Sequence, residues 1–227
     1  MIPLPLARRS AELELLDRGV LEPAELATNL ADLARLNRLP GGGAASGDAV
    51  ARLLDGAPGR ILDVGTGGAD IPLRLAARGW SAVALDSDPA VLAIARRATV
   101  AQPAVEVVAG DGRSLPFPDA AFDVAHCSLL IHHLDRTGAV TVLREMRRVA
   151  RLGVVVNDLR RGWLPLVATG VAVTVLGRCR ATRHDGLLSV RRAYTVNELD
   201  DLLREAGLHV RHRSPAWLPR VVTVATP

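Results

Sequence analysis

The chain has no lysine: all 28 of its basic residues are arginine. That excludes a Schiff-base lysine and the lysine of a phosphate-binding P-loop. Aromatic residues make up 3% of the 227 positions, too few to build base-stacking platforms for RNA. Two cysteines, Cys127 and Cys179, form no disulfide framework and no cysteine-based metal site, and a reducing, cytoplasmic setting fits them. Long apolar runs are missing as well. The greasiest, Leu164 to Leu176, has 13 residues, short of the roughly 20 that span a bilayer. It reads as a buried helix or a pocket wall, with no stable membrane insertion. The opening MIPLPLARRS lacks the long apolar core of a signal peptide.

A hydrophobic share of 49% and a charged share of 23% are those of a folded chain with a sizeable core. Charge is unevenly placed. Residues 1–143 hold 13 arginines against 17 acids, and residues 144–227 hold 15 against 7. A basic C-terminal third suits nucleic acid, phosphate or an acidic membrane surface. An arginine-rich solubilising surface accounts for the same counts.

Leu13, Leu16, Leu26, Leu30, Leu33 and Leu36 recur at helical spacings, which predicts helix over 10–38, with Pro23 in the first turn of a second helix. Pro40 to Gly47, PGGGAASG, reads as a flexible linker, followed by a helix over 48–54. Apolar strands are expected at 60–64, 82–85, 105–109, 122–127 and 154–157, with helices at 71–78, 90–100 and 138–149 between them. A shorter crossover joins the third and fourth strands. Strands apolar on both faces and spaced by helices argue for a parallel sheet covered on both sides. Thr195-Val196-Asn197-Glu198 is a capping-box start for a helix ending at Gly207. Two β-like runs, 209–213 and 220–225, then pair as an antiparallel edge. The domain reading is a helical lid and linker over 1–47 and a ligand-binding domain over 48–227, with 159–194 inserted at the substrate pocket.

The most informative stretch is Ile61-Leu62-Asp63-Val64-Gly65-Thr66-Gly67-Gly68-Ala69-Asp70, a strand running into a glycine turn and a helix. Ligands of α/β sheets bind at such strand ends. A dinucleotide fingerprint needs glycine where Asp70 stands, and an acid there repels a pyrophosphate. Asp63, at the end of the strand, suits a ligand that carries an ammonium as well as a carboxylate. The methionine part of S-adenosylmethionine is such a ligand.

Here the sequence resembles the class I S-adenosylmethionine-dependent methyltransferases, whose strand-end pattern is Asp/Glu-x-Gly-x-Gly-x-Gly. Ala69 stands at the last glycine position, with Gly68 just before it. Three further segments carry the resemblance. Val83-Ala84-Leu85-Asp86-Ser87-Asp88-Pro89 ends the second strand with Asp86, whose carboxylate accepts ribose hydroxyls in nucleoside-binding sheets. Gly110-Asp111-Gly112 ends the third, where the resemblance implies an acid, Asp111, on the adenine amino group and the next N–H on a ring nitrogen. Cys127 to Leu134, CSLLIHHL, follows the fourth and is similar to the branch that methylates quinones, polyketides and other small molecules. The resemblance covers roughly 55–210. It implies a Rossmann-like doubly wound α/β sheet, mainly parallel with an antiparallel C-terminal edge and an N-terminal helical lid. The implied cofactor is S-adenosyl-L-methionine, on Asp63, Gly65, Gly67, Asp86, Ser87, Asp111, Gly112 and Cys127.

His132 and His133 fall where an acceptor should meet the methyl group. In-line transfer to a hydroxyl needs its proton removed, and an imidazole suits that task. His132 is therefore the expected base and His133 a substrate contact. His184, beside Asp185, is a rival base and a second substrate contact. Arg160 and Arg161 either hold an anionic group of the substrate or face solvent. His126, Cys127, His132 and His133 lack zinc spacing, and Cys127 and Ser128 stand where metal-dependent relatives carry an acid, so no metal is expected. The expected reaction is O-methylation of a small phenolic or polyketide-like molecule of secondary metabolism. Carbon or nitrogen methylation is the alternative. An RNA-modifying enzyme and an NAD-dependent oxidoreductase are further ones, disfavoured by the few aromatics and by Asp70. The expected partner is the small-molecule acceptor, not nucleic acid, and the oligomeric state stays open between monomer and homodimer.

Overall fold

The alternation of apolar strands and amphipathic helices becomes a computed structural model that describes residues 4–227. Met1–Pro3, the start of the stretch read for a signal peptide, lie outside the described residues. The strands are β1 (Arg60–Val64), β2 (Ser81–Asp86), β3 (Val105–Ala109), β4 (Phe122–Ser128), β5 (Ala150–Leu159), β6 (His209–Arg213) and β7 (Arg220–Thr226). The helices are the single turn α1 (Leu4–Ala7), then α2 (Pro23–Leu36), α3 (Gly43–Leu54), α4 (Asp70–Ala76), α5 (Pro89–Thr99), α6 (Arg136–Val149), α7 (Trp163–Leu176), α8 (Arg180–Arg192) and α9 (Val196–Glu205).

One sheet runs in the order β3-β2-β1-β4-β5-β7-β6. The first five strands in that order are parallel, and β7 runs antiparallel to both β5 and β6. Strand alternation sorts the core into two layers. Leu62, Val64, Val83 and Leu85 point to the α6 and α9 side, with Leu143, Met146 and Leu202. Ile61, Val124 and Val155 point to the α3 and α4 side, with Val50, Ile71 and Leu75. The sheet is thus doubly wound, as expected. The strand order reverses between β1 and β4, and a crevice opens at such a switch point. In-register pairs Val64–Leu85, Val64–Cys127 and Ser128–Asn157 bring the strand ends to one edge.

Two expectations are corrected. Residues 10–38 are not continuous helix: helix starts at Pro23, and residues 8–20 form an irregular segment with a turn over 15–19. The amides of Leu15 and Leu16 donate to the Asp185 carboxylate instead of to a helix ladder. Residues 40–47 are not a flexible linker. Helix α3 begins at Gly43, and Asn157 Nδ2 donates to the carbonyls of Gly41 and Gly42. A Cβ on Gly42 would sit 2.4 Å from the Asn37 carbonyl oxygen, so glycine is there for close packing. The crossover from β3 to β4 contains turns and no helix. The apolar run became a pocket wall but not a buried helix: only Pro165 and Val173 of the 14 residues of α7 are buried. The capping box at Thr195 and Glu198 formed as expected.

Candidate active site

A cavity of about 670 Å³ occupies the crevice at the strand ends. Its inner end is built mostly of backbone. Gly65 and Gly67 take φ of +69° and +56°, the left-handed region that favours glycine. A Cβ on Gly65 would lie 2.8 Å from Leu130 Cδ1, and one on Gly112 would lie 2.9 Å from Val64 Cγ1. Both glycines let main chain approach the cavity where a side chain would block it. Asp86, at the end of β2, accepts from the Gly67 amide (3.0 Å) and from the Asp88 amide (3.1 Å). Burial raises its pKa, against the pull of these amides. Ser87, Asp111 and Gly112 line the same end, and Asp111 stays exposed, accepting from the Arg113 amide at 2.8 Å. Two carboxylates with free lone pairs, side by side with an open glycine cradle, fit a nucleoside with hydroxyl and amino donors. The observed donor set therefore fits S-adenosylmethionine.

Two expected cofactor residues are placed differently. Asp63 reaches the cavity floor, but its Oδ1 pairs with His126 Nδ1 (2.6 Å) and its Oδ2 accepts from Thr66 Oγ1 (2.7 Å). It shapes the glycine turn rather than presenting a free carboxylate. Cys127 does not reach the cavity. Alternation along β4 turns it into the α6-side core, where burial holds the thiol well above its ordinary pKa; Ser128 faces the cavity instead. Behind the floor, His126 Nε2 and Asn157 Nδ2 both meet Ser46 Oγ (2.9 and 2.8 Å). Arg220 donates to Asn157, Asn37 and Ser128, joining β7 to the glycine segment before α3. Burial lowers the Arg220 pKa to about 10, which leaves it charged.

The outer end is built of side chains. His132 and His133 form a short 3₁₀ turn after β4, their rings 4.2 Å apart. His132 is buried, and its Nδ1 lies 2.5 Å from Asp158 Oδ1. Burial alone would raise the Asp158 carboxyl, but the His132 imidazole, by charge and hydrogen bond, holds it below the usual range. His133 Nδ1 lies 2.6 Å from Asp17 Oδ1. Nδ1 of each ring thus donates to a carboxylate, so in the neutral imidazole Nε2 is the atom that carries the lone pair. Those lone pairs face Glu14: His132 Nε2 is 3.7 Å from Oε1, and His133 Nε2 is 4.0 Å from Oε2. Glu14 Oε1 is buried without a hydrogen-bond partner. Burial raises the Glu14 pKa to about 7, so near neutral pH its protonated and ionised forms are both populated. Arg192 Nε lies 3.8 Å from the same oxygen, and Arg192 Nη1 donates to Asp17 at 2.7 Å.

Of the site residues expected from the sequence, His132 and His133 line the cavity together with Asp86 and Asp111. His184 does not. On α8 the residues Thr182, Asp185, Gly186 and Ser189 share the inner face, and a residue one position before Asp185 points about 100° away from it. His184 is exposed there, with Nδ1 2.8 Å from Asp185. Arg161 is neither in solvent nor in the cavity. It is buried, donating to the carbonyls of Leu6 and Ala193 and to Glu198. Glu14, Asp17, Asp158 and Arg192 were not singled out for these roles. Among the described residues, Glu14, His132 and His133 each offer a ligand atom within 4.8 Å of the others.

Residues 61–153 match a family model described as a methyltransferase domain. An uncharacterized methyltransferase of Mycobacterium bovis is 33% identical over 120 residues, 52% of this chain and 48% of that protein; the chain thus aligns with about half of that relative's length. The demethylmenaquinone methyltransferase of Roseiflexus castenholzii is 30% identical over 165 residues, covering 66% of this chain and 67% of that one. Among solved structures, an O-methyltransferase from neocarzinostatin biosynthesis, in complex with S-adenosyl-L-homocysteine and 1,4-dihydroxy-2-naphthoic acid, shares the fold. Its TM-score is 0.56 at 22% identity, over 75% of this chain and 50% of that one. The strand-end series Asp63, Gly65, Asp86 and Asp111, the doubly wound sheet and these matches agree: the chain belongs to the class I S-adenosylmethionine-dependent methyltransferases.

Proposed function

We propose that the protein transfers a methyl group to an oxygen of a small, largely apolar acceptor, a phenolic or enolic hydroxyl on a polyketide-like or quinone-like molecule of secondary metabolism. The observation that carries this is the His132–Asp158 pair, with its free Nε2 at the outer end of a cavity whose other end is the glycine loop. S-adenosylmethionine, when bound, supplies a methyl group activated by its sulfonium. Asp86 would hold the ribose hydroxyls, Asp111 and the Gly112 amide the adenine, and the glycine turn the remainder. Leu33, Leu36, Leu39, Leu159 and Ala172 give the outer cavity apolar walls, which suit an acceptor with a ring and alkyl substituents. His132 Nε2 takes the hydroxyl proton, and Asp158 stabilises the imidazolium that results. His133 and Glu14 border the acceptor, Glu14 standing 3.7 and 4.0 Å from the two Nε2 atoms. The names of the two similar proteins, one for demethylmenaquinone and one bound to a dihydroxynaphthoic acid, support an aromatic acceptor. Arg192 and the Glu14 proton balance the acceptor end, so this reading gives the cluster no metal ion. The free thiols Cys127 and Cys179 support a cytoplasmic setting.

The test has two stages. S-adenosylhomocysteine should raise the melting temperature. Labelled S-adenosylmethionine should then transfer methyl to a panel of alkylphenols and dihydroxynaphthalenes in the presence of EDTA, with the product's methylated atom read by NMR. No thermal shift would overturn the cofactor assignment. Methyl found on carbon or nitrogen would overturn the oxygen assignment. Activity lost in EDTA and restored by magnesium would overturn the metal-free site.

A further inference from the structure

Helix α7 is apolar all round. Ala168, Thr169, Ala172 and Val173 turn inward and line the cavity. On the other side Trp163, Leu164, Val167, Val171 and Val175 are 47–74% exposed. Leu164, Val167, Val171 and Val175 follow spacings of three and four, so they form one stripe along the helix. A helix apolar on every face is ordinarily covered. Among the described residues nothing covers this one.

Three features of the surroundings say what does. The first is charge. From residue 160 to residue 192 the chain has seven arginines and one acid, Asp185. That acid is buried on the amides of Leu15 and Leu16. Arg161 and Arg192 are internally paired with Glu198 and Asp17. Arg178, Arg180 and Arg183, where α7 passes into α8, are exposed. Asp32 of α2 meets the same junction but is fully buried, accepting from the Arg178 and Cys179 amides and pairing with Arg35. The exposed charge where α7 passes into α8 is therefore positive. The second is the tryptophans. Trp163 opens α7, and Trp217, 68% exposed, stands in the β6–β7 connection, which Arg160 ties down through the Ala216 carbonyl. Tryptophan favours the boundary between lipid headgroups and acyl chains. The third is the cavity. Trp217 is exposed and lines the cavity at once, and Arg160 ties its loop close to the start of α7, so a wall of the cavity reaches the surface beside that helix end.

We propose that the outer face of α7, with Trp217 and the arginines at the α7–α8 junction, docks on an anionic phospholipid bilayer. Fourteen residues of helix measure about 21 Å, and no helix among the described residues is long and apolar enough to cross a membrane. The helix lies in the plane of the interface instead, with its valines toward the acyl chains and its flanking arginines among the phosphates. A second copy of the chain is a poorer occupant. A parallel pairing through this stripe would bring Arg178, Arg180 and Arg183 toward their own counterparts, and an antiparallel one would turn them toward a helix start with no acid over residues 160–177, whereas lipid phosphates neutralise them. Docking through Trp217 also brings that side of the cavity to the bilayer, so that an acceptor with an alkyl tail passes from lipid to cavity without crossing water. That consequence rests on the proposed methyl transfer; the docking surface does not.

The test uses the full chain and vesicles of phosphatidylglycerol and phosphatidylcholine, or of phosphatidylcholine alone. The protein should sediment with the anionic vesicles and shift its tryptophan emission to the blue, and salt should weaken binding. V167E/V171E should bind about tenfold more weakly or worse, because it places charge on the buried side of the interface. Its melting temperature and its stabilisation by S-adenosylhomocysteine should match the parent. R178Q/R180Q, which leaves the stripe intact, should lose about fivefold for each arginine on anionic vesicles, the scale of a basic side chain at such a surface. A parent protein that stays in the supernatant with both vesicles overturns the proposal. So does equal binding by V167E/V171E, or a dimer in sedimentation velocity that V167E/V171E dissolves. Vesicle binding is read without methyl transfer, so a failed thermal shift with intact sedimentation counts against the cofactor assignment alone.

Discussion

The two ends of the cavity are made differently. At the inner end the working parts are main-chain amides and two aspartates, each on the end of its own strand, so β1, β2 and β3 present them in the same order as the sequence. At the outer end the parts are side chains of distant segments: Glu14 and Asp17 from the irregular N-terminal stretch, His132 and His133 after β4, Asp158 on β5, Arg192 on α8. The first arrangement holds a constant group with parts the fold supplies. The second can be rebuilt for a different acceptor by changing a few side chains, without disturbing the sheet.

Substitutions should separate the two ends. His132→Ala should lower kcat by about 10²–10⁴, the usual contribution of a general base, and leave the affinity for S-adenosylhomocysteine close to the parent's. Stopped assays and calorimetry read the two quantities apart, and an equal fall in both would dissolve the division. Glu14→Gln should show the outer end's proton in the stability curve. Glu14 titrates near 7 in the folded chain against 4.5 for the ordinary carboxyl. The folded state holds that proton more tightly, so its contribution is fully present below about pH 4.5 and is lost as pH rises through 7, on the order of 3 kcal/mol. A neutral glutamine should flatten that decline, so thermal unfolding should show the variant gaining on the parent most clearly at pH 8. Parallel pH profiles for the two would refute it.

At the inner end, Asp86→Ala should weaken S-adenosylhomocysteine binding by about 1.5–3 kcal/mol, the scale of hydrogen bonds to a charged group. With saturating cofactor, kcat should largely recover. His184→Ala is the smallest expected effect. The side chain is exposed and outside the cavity, so stability should stay within about 0.5 kcal/mol of the parent and kcat should hardly move. A collapse of kcat in this variant would make His184 the base after all.

The inner end is legible in the sequence because its parts follow strand ends: Gly65, Asp86 and Asp111 each stand in a short segment that signals strand, turn and ligand together. His132 and His133 were legible for the same reason. Asp158 was visible at the end of β5 but not as a partner of His132, 26 residues earlier. Glu14 and Asp17 were invisible. In AELELLD they are acids among leucines, indistinguishable from the polar face of a helix. Their partners lie more than a hundred residues away. The only local hint was an acid between Leu13 and Leu15 in a run expected to pack, and burial of that acid depends wholly on α8 and the histidine turn. PGGGAASG misled for the opposite reason. Its composition is that of a linker, and its order comes from Asn157 and Arg220, which no local pattern reveals.

That last contact sets an order of events for a chain made from its N-terminus. Asn37, Ser128 and Asn157 are in place long before Arg220 is synthesised, yet all three accept from its guanidinium. Until β7 slides in beside β5, the floor under the glycine turn is missing its central donor and those acceptors stay wet. The pairing of β7 with β5 and the closing of the glycine segment are therefore one late, long-range step. Such a chain gains ligand-binding competence only once β7 has been made and paired.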